Sequence, residues 1–383
     1  MHDALILTCG LIVVYWLLVT AKVIVVQRMV HWLHPLRAPA LSAAISVMIP
    51  ARNEERDLAA SLRTVLDQEG VDLEVVVVND HSTDRTGQIA DSFAREDMRV
   101  KVVHDPPLLA GWLGKSNAMS HGAAVATKSL LLFSDADVYH ARTCFATAMD
   151  TLQRENLDAI SLCPRWENKS FWEQINVPIY YFGVARLMTP EIEDTSSRAA
   201  VASGALILVK SDVFAQVGGF ESVRGEMLDD VAFARLLKGR GFRFAYRLAP
   251  ECLSVRLFKG SCEAFLGTTK NILAAAGNYA WLGLPLIGIG IVQHWAPILA
   301  LILGFSWGQP FLACAGLVAY LTQYGSFFTA KRLINFHALP VLCYPLASVV
   351  ASVNIVRALY YHSRGRIFWR GRAIRITGKK RLS

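Results

Sequence analysis

Hydrophobic and polar positions divide the chain into three regimes. Residues 4–26 (ALILTCGLIVVYWLLVTAKVIVV) form one apolar run, interrupted only by Lys22 and long enough to span a bilayer as a helix. Apolar stretches return near 281–304, 309–328 and 338–360. Between these ends the pattern shortens. Strand-like apolar runs appear at 45–49, 74–78, 130–133, 159–162 and 205–209, with helical stretches near 54–68, 84–97, 116–127 and 141–155. Short, continuously apolar strands separated by helices predict a parallel sheet covered on both faces. The expected fold is therefore α/β, a doubly wound and mostly parallel sheet with transmembrane helices at both ends. Sheets of this kind bind ligands beyond the carboxyl ends of their strands.

This reading divides the chain into an anchor and basic linker (1–44), a catalytic-sized domain (45–256), an interfacial segment (257–280), membrane segments (281–362) and a basic tail (363–383). The chain starts Met-His-Asp, without the basic start of a cleavable signal, so the first run reads as an uncleaved anchor. Residues 171–189 and 257–280 mix aromatics with small apolar residues, and read equally as helices on the membrane surface or as buried core helices.

Composition sharpens this picture. The chain has 383 residues, 53% of them hydrophobic and 18% charged, with a mean hydropathy of +0.34; part of it must lie in lipid. The net charge of +8 splits into +2 over 1–44, −6 over 45–263 and +12 over 264–383, where no carboxylate occurs. An acidic central domain excludes nucleic acid as the partner. The flanking cations suit anionic lipid headgroups and a cytoplasmic placement of Arg28, Arg37, Lys331, Arg332 and the tail. Three crossings after a cytoplasmic domain would carry that tail outside, so 338–360, with Pro340 and Pro345, is expected to be re-entrant or interfacial. Seven scattered cysteines without a CxxC pair fit a reduced compartment.

Four polar clusters follow the predicted strands. Pro50-Ala51-Arg52-Asn53-Glu54 ends the first and opens a helix whose N-terminus can face an anion. Asp80 follows the second, placed to accept hydrogen bonds from a base or ribose, while Asp84 reads as the cap of the next helix. Asp135 and Asp137 stand one residue apart after the 130–133 strand, an arrangement that converges on a hard divalent cation, Mg2+ or Mn2+, bridging a diphosphate. Asp229 and Asp230 precede a helical run, where one can serve as general base and either can complement the helix dipole. Lys115 precedes another helix, within reach of a phosphate. Leu109 stands where a Walker A loop needs glycine, so Lys115 does not belong to a P-loop.

In this order, over about residues 45–250, the clusters resemble family 2 glycosyltransferases with the GT-A fold. The resemblance implies that Asp80 holds the uracil or ribose of a nucleotide-sugar donor, with Pro50 to Glu54 lining that pocket. It makes Asp135 and Asp137 the DxD pair, Asp137 the metal ligand of the two, and Asp230 the catalytic base. Asp229 stands where the family carries Glu. Further residues, among them Gly111 to Lys115, Gly218-Gly219-Phe220, Gly267 with Lys270-Asn271, and Phe368 to Arg372, resemble bacterial lipid glycosyltransferases of the carotenoid-acid and hopanoid-associated type, with ceramide glucosyltransferases more distant. On that resemblance Trp112, Gly219, Phe220, Lys270, Trp369 and Arg372 are acceptor or interface residues. The Gln/Arg-x-x-Arg-Trp motif of processive synthases is absent, since no tryptophan lies between Trp172 and Trp281. The implied activity is inverting, non-processive transfer from a donor such as UDP-glucose, with GDP-mannose as the alternative, to a lipid at the cytoplasmic face of a bacterial inner membrane. Transfer to polyprenyl phosphate and a non-catalytic membrane scaffold are the rival readings.

Overall fold

The computed structural model describes residues 2–37, 39, 43–185, 188–192, 194, 197–267, 269, 283–364, 366–369 and 372–375. Its centre is a seven-stranded sheet of β1 (Ala43–Ala51), β2 (Val71–Asn79), β3 (Val100–His104), β4 (Leu130–Phe133), β6 (Ala159–Cys163), β8 (Ile207–Lys210) and β9 (Phe244–Leu248). The spatial order is β3-β2-β1-β4-β8-β6-β9. All pairings are parallel except those of β8 with β4 and β6. The α/β fold is as expected. The continuous apolar runs arise because both faces are buried: Val47, Ile49, Val75 and Val77 enter one core, Met48, Val76 and Val78 the other. Helices α2 (Leu58–Leu66), α3 (Thr86–Glu96), α4 (Gly114–Ala124) and α5 (Cys144–Arg154) connect the early strands.

A second, four-stranded sheet in the order β11-β7-β10-β5 joins β5 (Val138–His140), β7 (Arg165–Glu167), β10 (Leu253–Val255) and β11 (Ile334–Asn335). It has a clear consequence for the site. β11 follows the last long apolar helix in sequence and pairs with β7. At the other end, the chain leaving the first helix bonds to the edge of β9: Leu33 N–H donates to the Leu248 carbonyl (2.8 Å) and Leu248 N–H to that of His31 (3.0 Å). Backbone bonds at both ends thus hold the α/β domain to the segments that join it to the long apolar helices.

Those helices are α1 (His2–Met29), α10 (Gly283–Ser306) and α11 (Pro310–Phe327). The three long apolar spans, the last extended to Ala330, are long and apolar enough to cross a membrane. On α1 the buried positions Cys9, Ile12, Trp16, Val19, Val23 and Val26 recur every three or four residues, while Leu7, Leu11, Val14 and Leu18 are exposed on another face. An exposed apolar stripe of this length belongs in lipid. The 338–360 stretch is two elements, α12 (Ala338–Val341) and α13 (Pro345–Ser363), broken where Pro345 cannot donate a helical hydrogen bond. Leu346, Val349, Val353, Val356 and Tyr360 line an exposed face of α13.

Of the two ambiguous segments, α6 (Phe171–Ala185) is a core helix, with Glu173 to Pro178 buried. The second is described as α9 (Ser261–Leu266), and residues 270–282, including Lys270, lie outside the described residues. Strands β3, β5, β7, β9 and β10 were not predicted. β3 reads VKVVH at the sheet edge, where alternation replaces a continuous apolar run, and β5, β7 and β10 are each three residues long.

Candidate active site

The carboxyl ends of β1, β2 and β4 open onto a cleft of about 650 Å³. Pro50, Ala51, Arg52 and Glu54 line it from β1, Asp80 from β2, Asp135 and Asp137 from β4, and Asp229 and Asp230 from the start of α8 (Asp229–Gly239). Residues from four separate strand and helix ends therefore share one space.

The β1 and β2 loops hold each other. Arg52 Nη1 donates to the backbone carbonyls of Asp80 (2.7 Å) and His81 (3.1 Å). Asn53 does not line the cleft; its side-chain oxygen accepts from Thr83 N–H (2.8 Å) and braces the β2 loop. Asn53 and His81 both have positive φ, 55° and 54°. Left-handed backbone at non-glycine residues is costly and recurs at binding loops. Asp80 is 4% exposed and its Oδ1 lies 3.0 Å from His81 Nδ1. Asp84 accepts from Thr86 and from Glu55 N–H (3.1 Å), tying the same two loops.

The DxD turn runs from β4 into β5. Beneath it, Ser134 Oγ donates to the Ala205 carbonyl (2.9 Å) and sits 3.2 Å from His140 Nε2. Burial pushes His140 down to about 3, so its imidazole is a neutral brace. Each aspartate faces a lysine. Lys115 Nζ is 2.6 Å from Asp135 Oδ1, and Lys259 Nζ is 3.2 Å from Asp137 Oδ2. Burial opposes the charge on Lys115, but Asp135, Asp229 and Asp230 outweigh it and raise its pKa.

Asp230 is fixed at the N-terminus of α8. Its Oδ2 accepts from Gly204 N–H (3.0 Å) and its Oδ1 from Val231 N–H (2.8 Å). Burial, then the charge of Asp229, pushes the Asp230 carboxyl up to about 6 against the pull of Lys115. A carboxylate of that strength is suited to general-base work near neutrality.

Gly204 and Lys259 were missed by sequence reasoning. A Cβ on Gly204 would lie 2.6 Å from Lys115 Nζ and 3.3 Å from Asp135 Oδ2, so only glycine lets these groups and Asp230 converge. A lone glycine and a lone lysine carry no signal of such packing.

Two of the residues expected at the acceptor or an interface pack in the core. Phe220 is 1% exposed, its ring 4.8 Å from Phe133 and 5.0 Å from Phe233. Gly219 is buried with φ 53°, and a Cβ there would meet the Phe214 ring at 2.8 Å. Trp112 packs partly buried against the same core, while its neighbours Leu113, Gly114 and Lys115 line the cleft. Trp369 and Arg372 are backbone partners across β12 (Arg366–Trp369) and β13 (Arg372–Arg375).

Among the cleft-lining residues, carboxylates outnumber cations by seven to three. That excess fits a divalent cation, which Mg2+-type sites take through one or two carboxylates and complete with substrate phosphates.

Residues 46–213 match the sequence family described as glycosyl transferase family 2. The chain is 25% identical over 356 residues to the 4,4'-diaponeurosporenoate glycosyltransferase of Staphylococcus aureus strain USA300, covering 90% of this chain and 92% of the relative. It is 24% identical to the same protein of strain N315, with the same coverage. Among solved structures, the mannosyltransferase PcManGT from Pyrobaculum calidifontis, in complex with GDP-Man and Mn2+, is 16% identical with a TM-score of 0.49, covering 93% of this chain and 99% of its own. S. aureus TarS is 16% identical with a TM-score of 0.39, over 60% of this chain and 40% of its own. The protein is a glycosyltransferase, its residues 46–213 matching glycosyl transferase family 2.

Proposed function

We propose that the protein transfers a hexose from a nucleotide sugar, UDP-glucose as first candidate, to a membrane lipid at the cytoplasmic face of a bacterial inner membrane. The observation that carries this reading is the mixed lining of the cleft. Asp80, Asp135, Asp137 and Asp230 share it with Trp166, Tyr180, Tyr181, Met188, Val201 and Leu257, an apolar set beyond what a nucleotide sugar needs. The apolar residues reach α1: Cys163, Tyr181, Met188 and Tyr246 meet Val23, Val26 and Val30 of that helix around a cavity of only about 10 Å³. The diaponeurosporenoate named for the Staphylococcus relatives supports an acceptor of this kind.

In the mechanism, Arg52, Glu54 and Asp80 bind the nucleoside, and Asp230 takes the proton of an acceptor hydroxyl as its oxygen attacks the anomeric carbon. The bond to the nucleoside diphosphate breaks on the opposite face, giving inversion, and the Lys115 ammonium offsets charge gathering on the departing phosphate. Mg2+ or Mn2+ held by Asp137 and Asp135 would supply further neutralisation of that diphosphate. Basic residues after the anchor, Arg28 and Arg37, support a cytoplasmic domain beside anionic headgroups. The test is reconstitution in nanodiscs with bacterial lipid extract and labelled UDP-glucose or GDP-mannose, followed by mass spectrometry. A glycosylated apolar lipid supports the proposal; label appearing only on polyprenyl phosphate, or only as free sugar, overturns it.

A further inference from the structure

The segment Arg256-Leu257-Phe258-Lys259-Gly260 follows β10 and leads into α9, joining the catalytic domain to its membrane side. Its backbone is fixed on both sides of Lys259. Arg256 donates through Nε and Nη2 to the carboxylate of Glu173 on α6, at 2.9 and 2.7 Å, and Glu173 is fully buried. Gly260 N–H donates to Glu173 Oε1 (3.0 Å), and Lys259 N–H to Glu263 Oε2 (2.8 Å). Gly260 has φ 121°, a backbone conformation open to glycine.

The Lys259 side chain, 13% exposed, ends among three carboxylates. Its Nζ is 2.7 Å from Asp57 Oδ2, 3.1 Å from Glu54 Oε2 and 3.2 Å from Asp137 Oδ2. Asp57 also accepts from Tyr139 OH (3.1 Å). Two of the three, Glu54 and Asp137, line the donor cleft. Two cations in contact with one carboxylate repel each other. An ammonium on Asp137 and a divalent ion on Asp137 are therefore alternatives. A lysine displaced from Asp137 keeps a flexible four-carbon stem and a compact charge with three donors, the chemistry that binds phosphate.

We propose that Lys259 is a donor-positioning residue. In the donor-free cleft its ammonium holds Glu54, Asp57 and Asp137 together in the place of the divalent cation; on loading it yields Asp137 and turns onto the diphosphate. The membrane-side segment thereby closes the donor site. This rests on the reading of Asp137 as the cation ligand.

The test measures binding, with full-length protein in detergent. Mn2+ alone and UDP at saturating Mn2+ are titrated calorimetrically against the wild type, Lys259→Met and Asp137→Asn. Lys259→Met is expected to bind Mn2+ alone at least tenfold more tightly and UDP at least tenfold more weakly, two changes of opposite sign that general damage would not produce. Lys259→Gln removes the charge but keeps hydrogen bonding, and gives the same pair of changes if the Met variant does not fold. Mn2+ affinity that is unchanged or weaker in the lysine variants, while Asp137→Asn abolishes it, overturns the proposal and leaves the donor site standing. Mn2+ affinity indifferent to Asp137→Asn overturns the reading of the site and the proposal with it.

Discussion

The acid limb of the pH–rate profile reports on Asp230. Burial and the neighbouring Asp229 charge put its carboxyl at about 6. A general base works only when deprotonated, so kcat/KM should rise with pH through about 6 and level off above it. At a pKa of about 6, roughly one part in eleven of the enzyme holds the base form near pH 5 and roughly ten parts in eleven near pH 7, so activity should fall about tenfold between them. The neighbours give the prediction its sign. Asp229→Asn removes a like charge and should move the limb to lower pH by about one unit. Lys115→Met removes an opposite charge and should move it to higher pH by about one unit, alongside a loss of kcat. The assay is initial-rate transfer to nanodisc lipid between about pH 4.5 and 8.5. A flat wild-type profile across that window, or both variants shifting the same way, refutes the assignment of the base.

Glu173→Ala should cost about 3–5 kcal/mol, because it leaves Arg256 without its buried partner; thermal unfolding in detergent measures it. Despite burial, bonds from Arg256, Lys169 and Ser170 hold the Glu173 carboxyl at about 2. Its contribution should thus be complete above its ordinary pKa and vanish only as pH falls through about 2. Gly204→Ala should barely change thermal stability, since the flexible Lys115 tip can move aside, yet cut transfer at least about tenfold by displacing that ammonium from Asp135. Phe220→Ala should cost about 3–5 kcal/mol with acceptor KM unchanged; a selective rise in that KM would return Phe220 to the acceptor site.

The parts legible in sequence were those with a local pattern. Val75 to Val78 could only be a strand buried on both faces, and the polar residues ending each such strand announced the cleft. β3 and β9 were harder: Lys101 interrupts the first, and Arg247 sits buried inside the second, held by Glu155 (2.5 Å). Gly219 and Phe220, expected at the acceptor or an interface, lie in the core because a Gly-Gly-Phe motif looks the same in sequence whether its ring packs inward or outward. Three neighbouring phenylalanines, Phe133, Phe214 and Phe233, decide that in space. Lys259 was invisible for the opposite reason. It lies more than a hundred residues beyond Asp137 in the chain, and only the folded structure brings the two together.

The central claim is that Asp80, Asp137 and Asp230 act on one bound nucleotide sugar beside the membrane. Single-turnover transfer from labelled donor to lipid, measured together with donor affinity in Asp230→Asn, tests it most directly. The account predicts donor binding within about twofold of wild type and transfer reduced by about 10²–10⁴-fold. Transfer at the wild-type rate in that variant would contradict it.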